Sequence, residues 1–469
     1  MSQHIRHTAL AVVFFAFSLC GGSTEIAAQG YPGGGGAPCP DENINSWFPH
    51  QDTPEPDNAG FQSKSICEFH EWSWQMFLWL TQDVDGQPRF LGFETPYDLL
   101  GINNREVLMP RMGKSNSGES FDEFLQAGTD GILVDQTGDV VYYSQYLDDT
   151  FVTFMQDNDL TDPNKAFDFP GTTSFPIGAV ELKASWRIVD EGEDTSDVFT
   201  MPSTVFALAN RGGKIVVDTA RTRDVTLALV GFHIAGVVNG HPEMIWATFE
   251  HVKNAPKVPA DFTPDTVISD HDYTFYKAGT VFADCNLNYA LSPELKLNEK
   301  TQKMSPVTQV CRQYEFGNGT DNLPVLQDSV KTNDRNVADL NKVVRARLKA
   351  EGDVFANYRE VGAIWFRPTD ALKPGMSLAS DVDAAGNQFL IGSLRLSNST
   401  IETFTQLSSR MNNCFRCHNT MQTLAPASGD TRLKPLPAKN INISHAFQNI
   451  YFWSQQIANG DTLLATPEN

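Results

Sequence analysis

The stretch of sequence that decides the fold is VELKASWRI, residues 180–188. Apolar residues occupy every second position of this stretch, and the residues between them are Glu181, Lys183, Ser185 and Arg187. A period of two is typical of a β-strand that buries one of its two faces. We therefore expect a half-buried strand, with Glu181, Lys183 and Arg187 on a solvated face where they pair with one another.

Further strand patterns follow this stretch along the chain. Residues 205–208 and 215–217 flank a turn that contains two glycines, which predicts a hairpin. Residues 226–238 are apolar on both faces apart from His233 and predict a central strand, and residues 244–251 follow after an Asn-Gly turn. Because strands that are neighbours in sequence tend to pair, we expect an antiparallel sheet.

Helical spacing of apolar residues marks three other segments, residues 66–80, 337–348 and 444–456. The first is dense in aromatic residues and is expected to pack as part of a core. Residues 361–366 and 389–396 have the composition of additional strands.

Together these patterns predict an α+β fold. We expect a β-rich domain with an antiparallel sheet over residues 41–330 and a C-terminal region, residues 331–469, that contributes helices.

A helix start is predicted just before the C-terminal cysteines. Ser399 is followed three residues later by Glu402, which is the sequence pattern of a capping box. The apolar residues on one face of the predicted helix are Ile401, Phe404, Leu407 and Met411. This helix would run towards Cys414.

The negative net charge of the chain argues against some classes of binding partner. The 469 residues carry a formal net charge of −22, and 41% of them are hydrophobic, an ordinary balance for a globular protein. Nucleic acid and anionic lipid both require a basic surface, so we expect neither as a partner. The acidic surface favours solubility, and a basic redox partner is the alternative.

The N-terminal residues have the pattern of a secretory signal peptide. A weakly basic start around Arg6 precedes an apolar run over residues 8–19, and Ala27 and Ala28 offer small residues for cleavage. We expect a signal peptide over residues 1–28, a Gly/Pro-rich leader over residues 29–40, and a periplasmic or secreted protein. No later run reaches the roughly 18 apolar residues that a membrane span needs, so no span is expected in the mature chain.

Four cysteines are available for disulfides in an exported protein, namely Cys39, Cys67, Cys285 and Cys311. Four cysteines allow three connectivities. We expect the two local pairs, Cys39–Cys67 and Cys285–Cys311, and the alternative is buried thiols.

The chemistry of the chain concentrates in Cys414-Phe415-Arg416-Cys417-His418, the C-x-x-C-H signature of covalent haem c attachment. In a helical turn the two sulfurs are about one turn apart, so each can reach one vinyl group. His418 lies on the same side and can offer an imidazole nitrogen to iron. A redox-active C-x-x-C pair and half of a zinc site are the alternatives, although the chain has no second ligand pair of the usual zinc spacing.

The motif resembles that of bacterial c-type cytochromes. The segment Leu396-Ser397-Asn398-Ser399-Thr400-Ile401-Glu402-Thr403-Phe404, together with ELKASWR (residues 181–187) and WATFEH (residues 246–251), is similar to segments of large exported monohaem proteins of the cytochrome c family. The resemblance implies one covalent haem c and its iron. It implies no particular activity.

The sequence offers several candidates for the iron ligand opposite His418. Met421, the only methionine after the motif, is too near to cross to the other haem face. His445 is the first candidate for the sixth iron ligand, and His233 and His251 are weaker ones. A surface, capping or core histidine is the alternative in each case, and a vacant position would allow chemistry at iron.

Two main functions are compatible with these residues, and a gas or ligand sensor is a third. The first is a periplasmic monohaem c-type cytochrome that transfers electrons to an unidentified periplasmic redox partner. The alternative is a haem c-dependent oxidoreductase that acts on peroxide, oxygen or an organic substrate at an open iron site. Since the haem segment is too short to enclose its cofactor, we expect the β-rich domain to supply one wall of the site. A position near the haem propionates is the alternative to a solvated face for Glu181, Lys183 and Arg187.

Overall fold

The computed structural model describes residues 39–40, 43–102, 107–110, 131–290, 292–319, 322–378, 380–406, 412–424 and 432–461. The predicted signal peptide and nearly all of the predicted leader lie outside the described residues.

The described residues contain twelve strands. They are β1 (Asp83–Val84), β2 (Gln87–Pro88), β3 (Val107–Pro110), β4 (Tyr142–Leu147), β5 (Val180–Ile188), β6 (Thr200–Arg211), β7 (Lys214–Val238), β8 (His241–His251), β9 (Lys296–Asn298), β10 (Lys303–Ser305), β11 (Tyr358–Phe366) and β12 (Leu390–Gly392). The helices are α1 (Ile66–Thr81), α2 (Pro96–Leu99), α3 (Asp149–Asp157), α4 (Pro163–Asp168), α5 (Gln327–Glu351) and α6 (His445–Ala458).

Eight of the strands form one sheet in the order β12-β11-β8-β7-β5-β4-β3-β6, and β6 also pairs with the first half of β7. The pairs are antiparallel except for β3 with β6, which is parallel. The predicted α+β class with an antiparallel, β-rich sheet is confirmed. The sheet also continues past residue 330, because β11 and β12 form one of its ends.

One face of the sheet is covered by α1 and α5. The α1 helix begins with a capping box between Ser65 and Glu68, and nearly all of its aromatic residues are buried, as predicted. Phe69 stacks on Trp365 of β11 with ring centroids 3.8 Å apart. The α5 helix begins ten residues before the predicted segment, and its apolar stripe packs on the same core.

The other face of the sheet is covered by segments that follow β12, and this corrects the expectation for VELKASWRI. The strand face that was predicted to be solvated is covered: Glu181 and Ser185 are buried, and Lys183 is partly buried. Arg187 pairs with Glu193 and not with its neighbours on the strand. Alternation in a strand distinguishes the two faces but does not tell what packs on the polar one.

The helix predicted to begin at Ser399 is wrong over the described residues. Only a short 3-10 turn, Thr403–Thr405, forms there, and residues 407–411 lie outside the described residues. Glu402 accepts hydrogen bonds from the backbone N–H groups of Ser397 and Asn398, both at 2.7 Å, instead of that of Ser399. Tertiary contacts of this segment therefore override the local capping pattern.

Other predicted elements are found with altered bounds. The strand predicted over residues 389–396 is reduced to β12, which pairs with the end of β11. The hairpin, the central strand and the strand after it are confirmed as β6, β7 and β8.

Both predicted disulfides are present. Cys39 bonds to Cys67 and Cys285 bonds to Cys311, with Cα–Cα distances of 5.7 and 5.5 Å. Among the described residues, no helix is both long enough and apolar enough to cross a membrane.

Candidate functional site

The C-x-x-C-H motif forms a tight turn on the sheet. Cys414–Arg416 is one 3-10 turn, and the N–H groups of Cys417 and His418 both donate to the carbonyl oxygen of Cys414, at 3.2 and 3.0 Å. Phe415 is fully buried and packs against Phe366 of β11 with ring centroids 4.8 Å apart. This anchor directs Cys414, Cys417 and His418 into one cavity.

The imidazole of His418 is fixed on three sides. The ring centroids of Trp246 in β8 and His445 in α6 each lie 3.8 Å from the centroid of the His418 ring. The planes of both rings are within 36° of the plane of His418, so one ring covers each face of the imidazole. Nδ1 lies 3.0 Å from the carbonyl oxygen of Ile443. Histidines that bind metals commonly donate the other ring N–H to a carbonyl in this way, which fixes the tautomer.

Burial also selects the protonation state of His418. The apolar surroundings lower its pKa to about 3, and the charge of Lys183 acts in the same direction, although the Ile443 carbonyl opposes it. The imidazole is therefore neutral at neutral pH, which is the form that binds a metal. Within the described part of the chain, no hydrogen bond to Nε2 is found, so this atom is available to a ligand in the cavity.

The cavity has a volume of about 780 Å³, which includes space that opens to solvent. The sheet supplies one wall, and the segments that follow β12 supply the other.

Two adjacent cross-strand rows make up the sheet wall. The register places Gln145, Lys183, His233 and Thr248 side by side across β4, β5, β7 and β8, and we call them the polar row. The next row contains Glu181, Ala235 and Trp246. Both rows line the cavity, and the motif rests on the second, since His418 stacks on Trp246.

The opposite wall is held to the sheet by buried polar contacts. Asn398 donates to Thr248 Oγ1 at 2.8 Å and to the Phe249 carbonyl oxygen at 2.9 Å. Glu250 accepts from Ser399 through the backbone N–H at 2.8 Å and the hydroxyl at 2.6 Å. These contacts fix the loop that carries Glu402 into the cavity.

Glu250 itself is fully buried between two guanidinium groups. Arg312 and Arg359 each donate to its Oε1 at 2.6 Å, so that the carboxylate is paired and hydrogen-bonded in the interior. It connects the sheet, the segment around Arg312 and the loop at Ser399.

A second carboxyl group of the cavity lies beside α6. Glu181 is buried and accepts a hydrogen bond from the hydroxyl of Ser444, the N-cap of α6. Burial raises the pKa of Glu181 to about 7, while the Ser444 hydroxyl, the Ala446 backbone and Lys183 oppose that rise. This carboxyl group is thus close to half-protonated at neutral pH.

The three histidines proposed as sixth ligands lie in different places. His445 lines the cavity, but its ring lies on the face of the His418 ring, so the two histidines do not point at one atom from opposite sides. His233 is in the polar row, with Nε2 3.6 Å from Glu402 Oε1. His251 lies on the other face of β8 from Trp246 and Thr248, and its Nε2 is 2.9 Å from the Asp197 carbonyl oxygen, so it is not part of this site.

The site can be tested for its fit to a haem. Cys414 and Cys417, which form no disulfide, line the cavity beside a neutral His418. The set of donor atoms, two cysteine sulfurs and one neutral imidazole, therefore fits the attachment of a haem c.

The alternatives for the two cysteines fit less well. Burial, followed by the charge of Glu402, raises the pKa of Cys414, whereas a redox-active C-x-x-C needs a lowered one. Among the described residues, the only three-ligand cluster of metal-binding type is Cys39, Cys67 and Glu71, and two of these form a disulfide. Cys414 and Cys417 are not part of such a cluster.

Comparisons with known proteins add no identification. No family model matches the chain, and neither the search of curated proteins nor that of solved structures finds a match. The functional argument therefore depends on the geometry of the site.

Sequence reasoning missed several residues of this site. Trp246 and Glu402 were noted only as parts of strand and helix patterns, and Ile443 was not singled out. The one available signal was the polar face of VELKASWRI together with His233 on an otherwise apolar strand, because polar residues at buried positions require partners.

Proposed function

We propose that this chain is an exported c-type haem protein that exchanges electrons through one covalently bound haem. The observation that carries the proposal is that Cys414, Cys417 and a neutral His418 all line one cavity, while Nδ1 of His418 is bonded to the Ile443 carbonyl oxygen. An electron carrier needs such a pre-oriented ligand, because reorganisation would slow the transfer.

The chain's own residues have separate roles in this proposal. Cys414 and Cys417 would form the thioether links, and His418 would bind iron through Nε2. Trp246 and His445 hold the imidazole plane from its two faces. When bound, the haem supplies a one-electron ferric/ferrous couple, whose potential depends on the polarity of the surroundings.

The proposed location is the periplasm or the exterior. Two disulfides support it, because disulfides persist in oxidising compartments. The redox partner would be a periplasmic protein that we do not specify.

A second function, a haem-dependent oxidoreductase, is favoured by one observation. The polar row and Glu402 give the cavity ionisable side chains beyond those that hold His418. A pure electron carrier does not need them. A high-spin ferric spectrum, and reaction with carbon monoxide in the ferrous state, would favour this second function. A low-spin spectrum without such a reaction would favour the first.

The test of the haem itself is expression of the full chain in a host that matures c-type cytochromes. We expect a coloured protein whose intact mass exceeds that of the mature polypeptide by one haem, and which cycles between ferric and ferrous spectra. The double variant Cys414→Ala/Cys417→Ala should lose the covalent haem. The exposed His271 provides a control, since His271→Ala should keep it. A colourless wild-type protein at the polypeptide mass would overturn the proposal.

A further inference from the structure

The charged residues of the chain are distributed unevenly. The whole chain contains 57 acidic and 35 basic residues. Residues 403–460, which include the C-x-x-C-H motif, contain one acidic residue, Asp430, and five basic ones: Arg410, Arg416, Arg432, Lys434 and Lys439. The proposed haem segment is therefore a basic part of an acidic protein, and a local charge of opposite sign favours a different class of partner from the net charge.

Only some of these basic groups are available to a partner. Arg432 pairs with Asp461 at 2.8 Å. Lys439 is buried, and its ammonium group donates to a backbone carbonyl oxygen at 2.9 Å. By contrast, Arg416 and Lys434 are exposed, and neither side chain has an ion pair among the described residues.

A third exposed cation lies on a segment that is bonded to the motif. Thr420, two residues after His418, accepts the backbone N–H of Gly375 at its carbonyl oxygen and that of Met376 at its hydroxyl, both at 2.9 Å. The same hydroxyl donates to the carbonyl oxygen of Lys373. Lys373 is exposed, and its ammonium group also has no ion pair within the described part of the chain.

Exposed apolar side chains accompany these cations. Met421 is 45% exposed and Leu424 is 70% exposed. An antiparallel bridge between Thr423 and Leu436 joins their segment to the one that carries Lys434. We call the following exposed residues of these adjoining segments the basic patch: Lys373, Arg416, Met421, Leu424 and Lys434.

The basic patch lies on the outer side of the motif. Cys414, Cys417 and His418 line the cavity, whereas Arg416, which stands between the two cysteines, is exposed. A protein bound to this surface would contact the turn that carries the proposed haem. Because electron transfer slows steeply with distance, this surface is a favourable place for a redox partner.

We propose that the basic patch is the docking surface for the redox partner, and that this partner is a protein with an acidic surface around its own redox centre. The inference rests on the proposed function and specifies the partner of that site. One electron passes from the reduced to the oxidised centre, and no bond forms or breaks. Complementary charges around an interface raise the association rate and select the partner. For this surface, the basic partner expected from the net charge is replaced by an acidic one.

Local charges outweigh the net charge at physiological salt. Exposed charges that are further apart than the Debye length, about 8 Å at 0.15 M salt, are largely screened from each other. A partner on the basic patch is therefore attracted by Lys373, Arg416 and Lys434 more strongly than it is repelled by distant carboxylates. If the net charge of −22 controlled association, an acidic partner would be repelled instead.

The first test is the oxidation of the ferrous holoprotein by ferricyanide, an anion that takes up one electron and becomes ferrocyanide. Attraction at the site of reaction makes the rate fall as salt is added, and repulsion makes it rise. We expect the wild-type rate with ferricyanide to fall. The rate with a cationic oxidant, tris(phenanthroline)cobalt(III), should not fall.

Neutral variants assign this effect to the basic patch. The triple variant Lys373→Gln/Arg416→Gln/Lys434→Gln should slow the ferricyanide reaction roughly tenfold at low salt and abolish its decrease with salt. If the triple variant does not fold, Lys373→Gln and Lys434→Gln should each change the rate in the same direction by a smaller factor. Lys300→Gln is the matched control, since Lys300 is exposed outside the patch and should not affect the rate.

A second readout does not depend on electron transfer. Polyglutamate serves as an acidic probe, and a water-soluble carbodiimide joins its carboxylates to nearby lysine amines as amides while the carbodiimide takes up water. We expect mass spectrometry to find the joined lysines mainly at Lys373 and Lys434 and not at Lys300. Sedimentation with anionic phosphatidylglycerol vesicles tests a membrane surface as the other acidic partner, and we expect no binding.

Three results would overturn the inference and leave the proposed haem intact. These are a wild-type ferricyanide rate that rises with salt, equal rates in the wild type and the triple variant, and binding to anionic vesicles that the triple variant loses. A protein that carries no haem by mass would instead overturn the proposed function, and this inference with it.

Discussion

The indole of Trp246 covers the imidazole of His418, with ring centroids 3.8 Å apart and the two planes tilted by 36°. Trp246 belongs to the third strand counted from the β12 end of the sheet, and His418 closes the cysteine motif near the C-terminus. This contact joins the sheet to the motif, so the stability of the sheet wall and the orientation of the imidazole depend on each other.

Replacing Trp246 should therefore weaken the whole assembly. Trp246→Ala removes a nearly buried indole, whose N–H donates to the Glu243 carbonyl oxygen at 2.9 Å. We expect the free energy of unfolding to fall by about 3–5 kcal/mol, as for other large-to-small core changes. Urea unfolding followed by circular dichroism measures it. Trp246→Phe retains an aromatic ring on His418, so its free energy of unfolding should fall by less. Equal losses of stability in the two variants would contradict a role for the ring contact.

Glu250 is expected to be among the most sensitive polar positions. Glu250→Gln leaves the guanidinium groups of Arg312 and Arg359 buried without their carboxylate. Breaking a buried ion pair in this way lowers the free energy of unfolding by about 3–5 kcal/mol. The loss is measured as a lower urea concentration at the midpoint of unfolding. As a control, Glu315→Gln removes an exposed pair with Lys257 and should barely move the midpoint. A similar shift of the urea midpoint in the two variants would show that the buried ion pairs of Glu250 do not contribute to stability.

Gly231 marks the closest approach of the Ser399 loop to the sheet. A Cβ atom added there would lie 2.3 Å from Thr400 Oγ1 and 2.5 Å from Ser185 Oγ. Gly231→Ala should destabilise the fold by about 1–3 kcal/mol through overpacking, measured by thermal or urea unfolding. Gly92→Ala is the matched control, because no atom lies within 4 Å of the added Cβ. An unaffected Gly231→Ala protein would mean that the loop is not packed on β7 as described.

Glu181 should make the stability of the protein depend on pH. Its pKa in the folded state is raised to about 7 from an ordinary value of 4.5, so the folded state binds the proton more tightly than the unfolded one. This contribution to stability is present below pH 4.5, falls as the pH rises to about 7, and is then lost. The shift corresponds to at most about 3 kcal/mol.

The comparison of wild type with Glu181→Gln isolates this effect from other acidic groups. We expect the wild type to lose more stability than the variant between pH 5 and pH 8, on the order of 2 kcal/mol, in urea unfolding at a series of pH values. Parallel stability curves for the two proteins would show that Glu181 ionises normally.

Much of the fold could be predicted from local patterns. The alternation in VELKASWRI, the apolar residues 226–238 and the aromatic segment that became α1 each correspond to observed elements. The reason is physical, since a strand or helix that buries one side repeats its apolar residues at the period of its own geometry. The two local cysteine pairs, which the sequence favoured among three possible connectivities, are the ones present.

The capping pattern at Ser399 is a case in which the local sequence predicted the wrong structure. Ser399 donates to Glu250 and Glu402 accepts from residues that precede Ser399, so contacts with a distant strand replaced the predicted helix start. The capping-box pattern alone contains no information on such partners.

By itself, the sequence indicated the main strands of the sheet, the helices α1, α5 and α6, the two local disulfide pairs and the C-x-x-C-H motif, because each depends on residues that are close along the chain. Only the tertiary structure decided that Glu181 and Lys183 line a cavity, that Trp246 and His445 enclose His418, and that His233 meets Glu402. These relationships arise because segments far apart in sequence cover the polar face of the sheet, and a local pattern shows which side of a strand is polar without showing what will bury it.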